Sequence, residues 1–204
     1  MNWTDVGEII KALGPAFTAA AAWFAAVIGY RGLTKWRQET IGKRKFEIAE
    51  EVLADFYEAR EIITFARFRG YSREEGASRP TEIWETESDF RALNAYFVPA
   101  ERLAKKSEFF ARFQAHRYRF LALFGAELTK PFDEMIKIRS EILSAVEMLI
   151  ANYRHPDLEL VPGDRQEALA IIGRAKDDPI AGRLDNAVEA IERTCRPVTQ
   201  EIAR

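Results

Sequence analysis

Four arginines and one histidine occupy positions whose spacing could support anion chemistry. Leu103, Phe110, Phe113, Phe120 and Phe124 recur at helical spacing, and Arg117 sits within that stripe. Phe132, Ile136, Leu143, Val146, Ile150 and Tyr153 form a second stripe, which contains Arg139. A third, Phe46, Ala49, Leu53, Phe56 and Ile63, shares its face with Arg60 and Arg67. An isolated buried guanidinium is costly, so each of these side chains needs a partner. Two chemistries meet that need. In one, the arginines pair with carboxylates on neighbouring helices, for which Asp55, Glu58, Glu134 and Glu141 are available. In the other, some of them converge with His116 on a pocket for a phosphate or nucleotide, because the planar guanidinium fork matches such groups. Internal pairing is the favoured reading, since arginines at stripe edges commonly snorkel or pair locally.

Recognised catalytic arrangements are missing from the sequence. It has no glycine-rich phosphate loop, no nucleophile elbow and no paired-cysteine metal motif. The histidines are His116 and His155, and neither follows a glutamate three residues earlier, so the Glu-x-x-His pattern of di-iron bundles fails. No catalytic residue, cofactor or metal is assigned. The segment FFARFQAHRYRF interleaves aromatic and basic residues, as RNA-stacking surfaces do. At helical spacing its phenylalanines join the core stripe, leaving Arg112, His116 and Arg119 on a solvated face. Thirty basic residues against 32 acidic ones argue against a nucleic-acid protein driven by bulk charge. The single Cys195 excludes an intrachain disulfide, fits a reducing compartment, and lies on an apolar helical stripe as a core residue.

The elements that position these residues read as helices throughout, because apolar residues recur every three or four positions and never alternate for long. Helices are predicted over 42–68, 81–95 with Thr81 as N-cap, 99–124 with Pro99 in the first turn, 131–153, 165–175, and from 179 onward. Gly125 stops the third, and PDLELVPGD is a loop. In the last helix Leu184, Val188, Ile191, Cys195, Val198 and Ile202 form a packing seam, with a kink expected at Pro197. The fold class expected is all-α, an antiparallel helical bundle behind a single N-terminal transmembrane helix.

The transmembrane expectation comes from ALGPAFTAAAAWFAAVIGY, residues 12–30, which carries no charge. A membrane-crossing helix needs about 20 mostly apolar residues. Trp3, Tyr30 and Trp36 suit interfacial aromatic belts. Arg31, Lys35, Arg37, Lys43, Arg44 and Lys45 follow, opposed only by Glu39 before Phe46. The positive-inside rule places that side in the cytoplasm, against the anionic inner surface of a bacterial inner membrane. Residues 1–11 then form a short extracytoplasmic tail, 12–30 the anchor, 31–45 a basic juxtamembrane segment and 46–204 a cytoplasmic bundle. Gly32 and Gly42 make helical continuity from the anchor into the bundle doubtful.

The stretch TKWRQETIGKRKFEIAEEVLADFYEAR resembles segments of small bacterial membrane-anchored helical proteins, a likeness that implies no activity. The expected partners are membrane lipid and a protein partner or a second copy, the latter through Ala19, Ala22 and Ala26. The function expected is an interaction or scaffolding module held at the membrane. The alternative is an anion- or nucleotide-binding sensor that uses the stripe arginines and His116.

Overall fold

A computed structural model describes the backbone of residues 3–156, 163–176 and 178–201, and side chains in those ranges from residue 18 to 200. The described residues are mostly helical and contain no strand. The helices are α1 (Trp3–Ala66), α2 (Glu87–Ala104), α3 (Ser107–Phe124), α4 (Lys130–Arg154), α5 (Asp164–Ile171) and α6 (Ala181–Glu201). Contacts divide the chain into two compact units, Met1–Lys45 and Phe46–Arg204.

In the first unit, helical structure runs through Gly32 and Gly42, despite the propensity cost of each glycine. The transmembrane helix expected over 12–30 is not supported: among the described residues, no helix is long and apolar enough to cross a membrane. The uncharged residues with described side chains, 18–30, rise about 20 Å as a helix, short of roughly 30 Å of hydrocarbon. Residues 12–17 of the expected anchor, and the expected tail 1–11, lie outside the residues whose side chains are described.

In the second unit the core is aromatic and aliphatic. Phe56, Phe113, Phe120 and Phe132 are each fully buried. The Phe56 and Phe132 rings meet edge to face with centroids 4.8 Å apart, and Phe113 lies 5.1 and 5.0 Å from them. Such pairs add about 0.5–1.5 kcal/mol each beyond the area they bury. Leu184, Val188, Ile191 and Cys195 bury the predicted seam of α6, with Val198 packed against it. Ile202 lies outside the described residues. α6 continues past Pro197 to Glu201. Side-chain pairs give the directions. Residues 51, 55 and 58 of α1 meet 119, 116 and 112 of α3, so these two helices are antiparallel. Residues 57, 60 and 67 meet 192, 185 and 178, which sets α6 antiparallel to α1 in the same way.

Two helix boundaries differ from the sequence expectation. α2 begins after Thr86 rather than Thr81, because Thr86 and Asp89 cap each other reciprocally. Residues 80–85 are drawn instead into a loop around Glu85. Pro99 lies inside α2 rather than opening α3, and the break falls at Lys105–Lys106, where the Lys105 amide donates to the Glu101 carbonyl and the Lys106 amide to that of Leu103. Nothing in that dipeptide's composition signals a stop.

Candidate functional site

In the first unit, α1 displays Trp23, Phe24, Ile28, Tyr30, Leu33 and Trp36, with exposures from 56% to 74%. At 100° per residue these six point around the whole circumference rather than along one stripe. Of the basic residues, Arg31 and Lys35 are interleaved with Leu33 and Trp36, and Arg37, Lys43, Arg44 and Lys45 follow them. Lys35 faces Glu39 at 3.8 Å with both side chains largely exposed, a contact worth little in water.

In the second unit, each stripe residue singled out from the sequence has its own partner. Arg60 lies 3.6 Å from Asp185. Arg67 donates to Asp178 at 2.6 Å and to the Ile171 carbonyl at 2.6 Å. Arg117 donates to Asp133 at 2.8 Å. The Arg139 guanidinium stands 4.9 Å from the centre of the Phe110 ring, and its Nε is buried without a hydrogen-bond partner. His116 Nδ1 sits 2.5 Å from Asp55 Oδ2, and its Nε2 is 3.6 Å from Glu51.

The anticipated carboxylates are used, but not as the stripes suggested. Asp55 and Glu58 serve His116 and Arg112, whereas Glu134 and Glu141 both bind Arg183 of α6 at 2.5–3.1 Å. The basic face of FFARFQAHRYRF, expected to be simply solvated, is set against the acidic row Glu51, Asp55 and Glu58 of α1. Positions 112, 116 and 119 of α3 match positions 58, 55 and 51 of α1, so the two helix faces are complementary in register.

The strongest polar assemblies involve residues that periodicity does not flag, because they belong to the loop between α1 and α2. Arg79 and Glu85 form a two-pronged ion pair at 2.6 and 2.8 Å, with side chains only 2% and 3% exposed. Arg154 adds a contact to Glu85 at 3.2 Å. Arg102 donates to Glu75 and to the carbonyls of Phe65, Phe68 and Gly70, closing the C-terminal end of α1. The buried Glu101 accepts from the Gly76 amide and the Ser78 hydroxyl. Gly76 has φ +82°, and a Cβ there would stand 2.4 Å from the Asn94 carbonyl oxygen, so only glycine fits. The sequence signal available for this network is a density of charge in YSREEGASRPTEIWE that a mobile loop would not need.

Between the end of α1 and the α2–α3 junction lies an open cleft of about 620 Å³, lined by Glu58, Glu61, Ile62, Phe65, Glu75, Arg102, Lys105 and Lys106. Its three carboxylates balance its three cations. Acid–base catalysis near neutral pH needs a group that titrates there. The resolved shifts move away from neutrality. The Arg102 hydrogen bonds pull Glu75 down to about 2, and those of Arg79 pull Glu85 down to about 2. Burial pushes the Cys195 thiol up to about 12, which makes it inert as a nucleophile. Among the described residues no His, Cys, Asp and Glu cluster is placed to hold a metal ion. Comparison with protein families, curated proteins and solved structures returns no match.

One consequence of the Arg183 fork is open to direct measurement. Arg183→Lys keeps the charge but cannot serve Glu134 and Glu141 together. The substitution is expected to lower stability by about 1–2 kcal/mol, read from the urea unfolding midpoint at neutral pH.

Proposed function

We propose that this chain is a membrane-attached helical interaction module. Its N-terminal segment, residues 12–30, is held in a bacterial inner membrane with the N-terminus outside, and residues 46–204 stand in the cytoplasm to hold a protein partner or a second copy. The observation that carries the reading is the uncharged stretch of α1 over residues 18–30, exposed on every side of the helix apart from Val27, a surface that lipid would surround. The abrupt change to basic residues from Arg31 supports the direction. The interaction role is supported by the way the second unit spends its polar groups. Its arginines and carboxylates tie helices and loops to one another, and its strongly shifted acids are held far from neutral titration.

The test is fractionation of cells expressing the full chain, followed by an alkaline carbonate wash. The chain is expected to stay with the membrane pellet. Release into the supernatant overturns the attachment. Removal of residues 1–34 is expected to release the second unit, and its retention on washed membranes would place the attachment elsewhere.

A further inference from the structure

Six cations follow the apolar part of α1, and they are not equivalent. We infer that Arg31, Lys35 and Arg37 form a contact for the headgroups of anionic phospholipids, while Lys43, Arg44 and Lys45 stand beyond its reach. The inference rests on the membrane attachment proposed above.

The argument is one of distance and availability. Tyr30, 74% exposed, marks the end of the uncharged run and belongs at the hydrocarbon edge. From there a helix rises about 1.5 Å per residue, placing Arg31, Lys35 and Arg37 at roughly 2, 8 and 11 Å. The headgroup layer is about 5–8 Å deep, and the long flexible stems of lysine and arginine reach back towards it. Lys43, Arg44 and Lys45 begin roughly 20 Å out, about 12–15 Å beyond the headgroup layer and so well past the Debye length of about 8 Å in physiological salt. Lys43 and Lys45 also take part already in interactions within the chain. Of the inner three, Lys35 has Glu39 nearby, at 3.8 Å and in the open. Such an exposed pair yields readily to a phosphate oxygen.

Direction around the helix adds a second argument. Arg31 and Lys35 lie about 40° apart, whereas Arg37 points some 120° to the other side. A helix lying flat on a surface would turn one of these groups away. A helix standing through the headgroup layer brings all three into it. Trp36, 62% exposed, sits at the same level with an amphipathic ring suited to that layer. A zwitterionic headgroup offsets its own phosphate, so net anionic lipid is the preferred occupant.

The test adds the purified full chain to preformed vesicles of phosphatidylcholine, alone or with about a third phosphatidylglycerol, and measures flotation at low and physiological salt. Each basic residue near the surface is worth about fivefold in partition. Preference for the anionic vesicles is therefore expected, weakening with salt. Arg31→Gln with Arg37→Gln should reduce that preference about 25-fold, and Arg44→Gln should leave it within about twofold. Circular dichroism of each variant checks that the helix is intact. Equal flotation on both vesicle types overturns the lipid contact and leaves attachment standing. A loss with Arg44→Gln equal to that of the double variant overturns the division into near and far cations. Flotation on neither vesicle overturns attachment, and the lipid contact with it.

Discussion

Glu85→Leu is expected to destabilise the second unit by about 3–5 kcal/mol, because it leaves the Arg79 guanidinium buried without its counter-charge. Arg79 and Glu85 are 2% and 3% exposed, so water cannot replace the missing partner. What remains to Arg79 is the neighbouring Pro80 carbonyl at 2.9 Å and a long contact to the Asn94 side chain at 3.4 Å, both neutral. Arg154 also loses its contact to Glu85, though at 21% exposure it reaches solvent and Glu82. Replacing both members, Arg79→Met with Glu85→Leu, is expected to cost less than Glu85→Leu alone. Removing two paired buried charges avoids the desolvation penalty that removing one leaves exposed. Chemical denaturation of the two variants beside the parent chain measures this difference.

The same pair sets a pH dependence. The folded Glu85 titrates at about 2, below the ordinary carboxylate value of 4.5, so its contribution is complete above the unfolded pKa and lost as pH falls through about 2. Glu75, held down by Arg102, follows the same sign over the same window. The parent chain is expected to lose stability between about pH 5 and 2, and Glu85→Leu to lose less across that window. Equal slopes in the two chains would show that Glu85 is not held ionised by the fold.

These networks also show which parts of the molecule can be read from residue order. Helices α3, α4 and α6 follow from the spacing of Phe110, Phe113 and Phe120, of Phe132 and Val146, and of Leu184, Val188 and Ile191. Burial of one face imposes a period that sequence preserves. The stripe arginines were legible as anomalies. Their partners were not, because the partner depends on which helix lies alongside and in which register. Glu134 and Glu141 were available to any neighbouring cation, and only the approach of α6 assigns them to Arg183. The clasp of Arg79, Glu85 and Arg102 was less legible still. A loop has no period, and hydrogen bonds to carbonyls such as Phe65 and Gly70 leave no trace in side-chain type. At the N-terminus the apolar circumference was legible, because hydropathy is a local property. Whether a helix crosses a bilayer depends on length as well, and the described uncharged stretch is too short for that on its own.

Arg67→Met is expected to cost about 3 kcal/mol, roughly 6–12 °C in Tm, although methionine suits the apolar stripe in which the arginine sits. Arg67 is 7% exposed and ends α1 against the turn between α5 and α6. Its guanidinium donates to the Ala170 and Ile171 carbonyls at the end of α5, the first of which also accepts from the Gly173 amide. The same group grips Asp178 at 2.6 Å, and Asp178 accepts in turn from the amides of Ile180 and Ala181 at the entry to α6. Burial pushes the Asp178 carboxyl up, but Arg67 and those two amides together hold it below the usual range. Gly173, with φ +78°, brings the turn so close that a Cβ would stand 2.5 Å from the Arg67 carbonyl oxygen. One side chain therefore closes one helix, opens another and fixes the chain between them. Methionine restores the volume and none of the five N–H donors. Arg67→Lys keeps the charge for Asp178 but not the fork that reaches two carbonyls, and is expected to recover less than half of the loss. Thermal unfolding of the two variants, followed by circular dichroism, separates these contributions. Full recovery by lysine would show that charge alone, rather than the fork, secures this turn.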